Sequence, residues 1–271
     1  MIAGIAVVLL VVFMVGSVGT VKVSDWDVGW LAGTTPVAAD EAHVYRRYLL
    51  RLRRHRLVGG LFGAAFAVVL GLSWYGWFTV GIGQGNPLAD VLFCGLAGVQ
   101  IAMLSAETFR LRAVASPLHV ASLAPRPAPP HDLVVWGPWA VTLAAIAVGV
   151  GFALAGDGLV PAAIALGGVV FGGVKSFTQR AITSRRRPVM SDAAHRVDGR
   201  LRIIARRSVD LTNVATSVLT LGWTLSKLPQ SRSPVVEIGR FFAVTGCLVV
   251  VIVTMRRCAP RAPLHWRPGA P

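Results

Sequence analysis

Apolar and polar positions separate along this chain on the scale of whole segments rather than of single residues. Seven stretches are almost purely apolar: 2–19, 57–80, 88–108, 134–155, 159–177, 209–227 and 238–255. A bilayer core about 30 Å thick takes roughly 20 apolar residues as helix. Lipid leaves no partner for an unpaired backbone amide, so each stretch is expected to be α-helical. The pattern predicts an all-α, polytopic transmembrane helical bundle of about seven spans, one single span followed by three hairpins. The first stretch, IAGIAVVLLVVFMVGSVG, lacks a basic leader and has only a weak cleavage motif after it, so it is read as a retained span, with a cleaved signal peptide as the alternative.

The hairpin turns are GIGQGNP (81–87), AGDG (155–158) and LPQSRSPVV (228–236). The expected layout is a first span at 1–19, a basic segment at 20–56, and hairpins at 57–108, 134–177 and 209–255. A Pro-rich linker at 109–133, a basic amphipathic segment at 178–208 and a basic tail at 256–271 complete it. Within the linker, four prolines between 125 and 130 predict an extended connector. In SDAAHRVDGRLRIIARRS (191–208), Ser191 can cap a helix whose Val197, Leu201 and Ile204 recur at helical spacing among arginines. That pattern predicts a basic amphipathic helix lying on the inner leaflet, with docking onto a partner as the alternative.

Charge then fixes a direction. Of the 27 Lys and Arg, 24 fall in 20–56, 109–133, 175–208 and 256–271, and only Lys227, Arg232 and Arg240 lie on the other side. Positive loops stay in the cytosol, so the N-terminus is expected outside and the C-terminus inside, in a cell (plasma) membrane. Six arginines crowd into YRRYLLRLRRHR: Arg46, Arg47, Arg51, Arg53, Arg54 and Arg56. With Arg185, Arg186 and Arg187 they are expected to anchor the inner mouths of the spans and to attract anionic lipid headgroups. A net charge of +15 alone points toward nucleic acid. However, 54% hydrophobic and only 14% charged residues, with a mean hydropathy of +0.64, point to lipid instead.

Chemistry-bearing constellations are scarce. Cys94, Cys247 and Cys258 are isolated, the six histidines are scattered, and no HExxH, G-x-S-x-G or Walker pattern occurs. No catalytic, cofactor or metal residue is expected. GIGQGNP lacks the GxGxxG spacing and a βαβ context, and reads as a tight turn. Ionisable residues sit at span ends: Asp90, Glu107, Lys175, Asp210, Glu237 and Arg240. Only Gln100 and Asn213 are strongly polar and deeper.

Small residues recur every fourth position as Gly59, Gly63, Ala67 and Gly71, as Ala145, Gly149 and Ala153, and as Gly168, Gly172 and Ser176. Such rows let helices approach closely, within the bundle or between copies in a homo-oligomer. The sixth stretch carries one polar stripe: Thr212, Asn213, Thr216, Ser217, Thr220 and Thr224. It reads as an interhelical seam, with the wall of a solute path as the alternative.

RRYLLRLRRHRLVGGLFG, GIGQGNPLADVLFCGLAG, LSAETFRLR and ASLAPRPAP together resemble uncharacterised multi-pass membrane proteins of high-GC actinobacteria, mainly over 45–130. The resemblance implies a bacterial plasma membrane and transfers no functional residue. The expected function is a non-enzymatic accessory or assembly component of a membrane system, partnered by lipid and by another membrane protein. A small-solute transporter using the Thr-rich stripe is the alternative.

Overall fold

The computed structural model describes residues 21–34, 36–73, 87–108, 133–156, 159–183, 192–258 and 261–262. Seven α-helices, and no strand, occur among them: α1 (Asp25–Ala32), α2 (Ala39–Ser73), α3 (Pro87–Thr108), α4 (Leu133–Leu154), α5 (Val160–Thr183), α6 (Asp192–Ser226) and α7 (Pro234–Arg257). Four segments within α3, α4, α5 and α7 are long and apolar enough to cross a membrane: Asp90–Glu107, Trp136–Leu154, Val160–Arg180 and Pro234–Arg257. The fold is a helical bundle of the kind a membrane protein uses.

The first predicted span, 2–19, the GIGQGNP turn, most of the Pro-rich linker and Arg185–Arg187 lie outside the described residues, as does the end of the second span. The sixth stretch is not one of the four apolar crossings, and its position explains why. Helix α6 packs against all six other helices and is the hub of the bundle. A helix surrounded by protein can carry hydroxyls on most faces, because its neighbours replace lipid.

Two helices are much longer than a span. At 1.5 Å per residue, the 35 residues of α2 and of α6 each reach about 52 Å, against a hydrocarbon core of about 30 Å. The basic segment predicted at 191–208 is therefore not a separate helix. It continues unbroken into the sixth stretch, and its apolar face turns inward. Val197 and Leu201 are buried with Val28 and Leu31 of α1 and with Tyr45, Tyr48, Leu49 and Leu52 of α2. Intramolecular docking buries those side chains more completely than an interfacial position would. Fifth-span helix α5 likewise runs on to Thr183, past the boundary at 177 read from hydropathy.

Helix α1 closes this basic end. Ser24 and Asp27 form a reciprocal capping box at its start, and Gly33, at φ +75°, ends it in the left-handed region. Arg200 Nε of α6 donates to the Leu31 carbonyl at 3.1 Å, fixing the end of α1 against the hub.

Gly59, Gly63, Gly149, Gly168 and Gly172 of the small-residue rows lie at internal seams. A Cβ on Gly63 would lie 2.0 Å from the Cys94 carbonyl oxygen, and one on Gly98 would lie 2.1 Å from that of Gly59. These contacts bring α2 and α3 backbone to backbone. Gly149 abuts Pro161 between α4 and α5, Gly168 meets Thr220 between α5 and α6, and Gly172 meets Trp139 between α5 and α4.

Candidate functional site

Helix geometry sorts the arginines of 46–56 into two faces. At 100° per residue, Arg46, Arg53 and Arg56 share a sector of about 80°, and Arg47, Arg51 and Arg54 share another of about 60° on the far side. The first set holds the fold. Arg46 pairs with Asp25. Arg53 donates to Asp27 Oδ2 at 2.7 Å and to the Lys22 carbonyl at 2.6 Å. Arg56 donates to the Met255 carbonyl at 2.9 Å, tying α2 to the end of α7. Three of the residues expected as membrane anchors thus make internal contacts.

Asp27 is the knot of this end. Besides Arg53 and the Ser24 amide, its Oδ1 accepts the backbone N–H of Ala262 at 3.0 Å, which brings the chain after α7 onto α1. Burial opposes ionisation of Asp27, but the Ala262 amide, Arg53 and Ser24 outweigh it and hold the carboxyl below its usual range. On the other side of α2, Tyr48 donates its hydroxyl to Glu107 Oε1 at 2.7 Å, with both residues buried. Burial and the neighbouring carboxylate push the Tyr48 phenol well above its ordinary value. The Arg51 guanidinium lies over the Tyr48 ring, 5.8 Å from its centroid.

Within the bundle, every residue of the predicted stripe is buried, and Thr212, Thr216, Ser217 and Thr220 each meet a different neighbour. Thr212 donates to the Ser208 carbonyl at 2.8 Å and approaches Cys258 Sγ at 4.0 Å. Thr216 Oγ1 lies 2.9 Å from Gln100 Oε1 on α3 and 2.8 Å from the Thr212 carbonyl, two acceptors for one proton. Ser217 meets Thr142 of α4 at 3.2 Å, and Thr220 fills the space left by Gly168 of α5. Gln100 Nε2, Asn213 Nδ2 and Thr224 Oγ1 are buried with no hydrogen-bond partner among the described residues.

The span-end charges are also placed. Asp90 pairs with Lys227 at 2.9 Å and accepts Trp223 Nε1 at 3.0 Å. Phe93 stacks on the Trp223 ring, with centroids 5.6 Å apart. Lys175 is buried within electrostatic reach of Asp210, which accepts a hydrogen bond from Gln179. Glu237 pairs with Arg240 one turn along α7. Among the described residues, no group of His, Cys, Asp and Glu is arranged to hold a metal ion.

No family model matches the chain, and neither a curated protein nor a solved structure does.

Sequence reasoning found the stripe and the basic run. It missed Asp27, Tyr48, Thr142 and Cys258 as partners. The capping pattern S-x-x-D at 24–27 marked Asp27 as a helix-start residue. Nothing local marked it as the acceptor for a backbone amide 235 residues away.

Proposed function

We propose that this chain is a seven-span plasma-membrane protein, N-terminus outside and C-terminus in the cytosol, and a non-enzymatic accessory or assembly component of another membrane system. The observation that carries this reading is the way the interior polar groups are used. Thr212, Thr216, Ser217 and Thr220 each meet a different helix, so the stripe serves as a seam that assembles the bundle around α6. The lopsided distribution of Lys and Arg supports the orientation. The basic end, with α1, the starts of α2 and α6 and the chain after α7 gathered into one cap, supplies a folded surface outside the membrane. Its partner is proposed to be another membrane protein, with homo-oligomer contacts as the alternative. Crosslinking in native membranes followed by mass spectrometry tests the idea: recovered partner peptides from the cap support it, and a strictly monomeric, partner-free protein removes it. Cysteine accessibility at engineered positions in 184–190 and 81–86 tests the orientation.

A second reading, a small-solute transporter, is favoured by one observation. Asn213 Nδ2 is a buried donor without a hydrogen-bond partner among the described residues, and so is Gln100 Nε2 when its Oε1 faces Thr216. An unmet donor in hydrocarbon costs several kcal/mol, so water or a polar solute would be drawn there. Asn213→Leu and Thr216→Val variants that change solute flux support transport, and unchanged flux removes it.

A further inference from the structure

Arg47, Arg51 and Arg54 stand apart from their neighbours in the basic run. Arg47 and Arg54 are exposed, and no carboxylate among the described residues pairs with them. Arg51 Nε is buried and has no hydrogen-bond partner among the described residues. The three line a cleft of about 310 Å³ together with Leu50 and His55. Glu107 acts electrostatically on Arg51 alone, so the cleft keeps an excess of positive charge that an external anion would offset.

The same face of α2 continues into the bundle as apolar surface. Val58, Phe62, Phe66 and Val69 fall on the sector occupied by Arg47, Arg51 and Arg54, within about 120°. None of the four is covered by the described residues: Phe62 is 66% exposed and Phe66 52%. From Arg51 to Phe66 the helix rises about 22 Å, the depth of one leaflet with its headgroup in a bilayer of about 40–45 Å. Cationic groups at one end and an uncovered aromatic track at the other, separated by one leaflet, match a single amphiphile with an anionic head.

We propose that the outward face of α2 is a binding site for one anionic phospholipid. Its phosphate sits in the cleft against Arg47, Arg51 and Arg54, and an acyl chain runs along Phe62 and Phe66. The proposal rests on the membrane reading above and adds a stoichiometric site to general attraction between arginines and anionic lipid.

The test uses the full chain purified in mild detergent, exchanged into nanodiscs of phosphatidylcholine with a minor fraction of phosphatidylglycerol, and analysed by native mass spectrometry. One retained phosphatidylglycerol per chain is expected. Replacing Arg47, Arg51 and Arg54 together by Gln weakens its retention roughly 100-fold, at about a factor of five per arginine. A charge-matched control, Arg207, Arg256 and Arg257 to Gln, removes three exposed arginines from α6 and α7 and leaves retention within about twofold. Equal loss in both triple variants, or loss in neither, overturns the proposal. The single exposed substitution Arg54→Glu, which touches no described partner, gives the same readout should the triple variant misfold. In wild type, phosphatidylglycerol with a photoreactive acyl chain labels the peptide containing Phe62 and Phe66, and labelling confined to other helices also overturns it. A wild-type chain that fails to enter nanodiscs removes the membrane reading instead, so the two failures are distinguishable.

Discussion

Lys227 and Asp90, 137 residues apart in the chain, form an ion pair of 2.9 Å with side chains only 8% and 1% exposed. The pair fastens the start of α3 to the end of α6, and Trp223 adds a third contact to the same carboxylate. Removing one member strands the other in a poorly solvated site. Lys227→Met is expected to lower stability by about 3–5 kcal/mol. Thermal unfolding in detergent, compared with Lys227→Arg, which retains the charge, measures it.

The α2–α3 seam makes the opposite kind of demand, for nothing at all beyond Cα. A Cβ on Gly98 would meet the Gly59 carbonyl, which is backbone and cannot rotate away. Gly98→Val is expected to cost about 1–3 kcal/mol by prising the two helices apart. Gly167 has open space around it, and Gly167→Ala is expected to be neutral or stabilising by up to about 1 kcal/mol, because alanine restricts the unfolded chain. Melting temperatures of the two variants side by side check the contrast.

Two threonines of one stripe are expected to respond differently to loss of the hydroxyl. Thr216→Val removes the donor to Gln100, which is fully buried, at a cost of about 0.6–1.7 kcal/mol. Thr224 has a buried hydroxyl with no partner among the described residues, so Thr224→Val is expected to be neutral or stabilising. Chemical unfolding in mixed micelles distinguishes them.

The basic end is expected to loosen at both extremes of pH. The Asp27 carboxyl is held below its ordinary value of 3.8, so its contribution is present above that value and is lost as pH falls through the lower folded one. The Tyr48 phenol is held above its ordinary value of 10.0, so its contribution is complete below pH 10.0 and is lost as pH rises through the higher folded one. Hydrogen exchange of α1 and the first half of α2 should show both transitions. Asp27→Asn is expected to remove the acid one and Tyr48→Phe the alkaline one.

Hydropathy made the apolar helices legible because lipid-facing residues need no particular partner, only length and the absence of charge. That is why α4 and α7 match the expected stretches closely. It failed at the junction of 208 and 209, where composition changes abruptly while the backbone does not. Ser208 and Val209 are both buried in one continuous helix, and a change of surroundings was read as an end of structure. The Thr stripe was legible because a four-residue repeat survives projection onto a helix. Its partners were not, since Gln100, Thr142 and Gly168 lie on three other helices. The arginines show the same limit. Their density announced an interface, and only the angular positions of Arg53 and Arg56 separate a structural clamp from a ligand-facing charge.

The unbroken run of α6 has a mechanical consequence. It starts among residues that hold α1 and ends beside the residue that grips Asp90. A rod without a joint transmits a push or a twist along its whole length, so displacement of the arginine-bearing cap is delivered to the far end of the bundle as movement of Lys227.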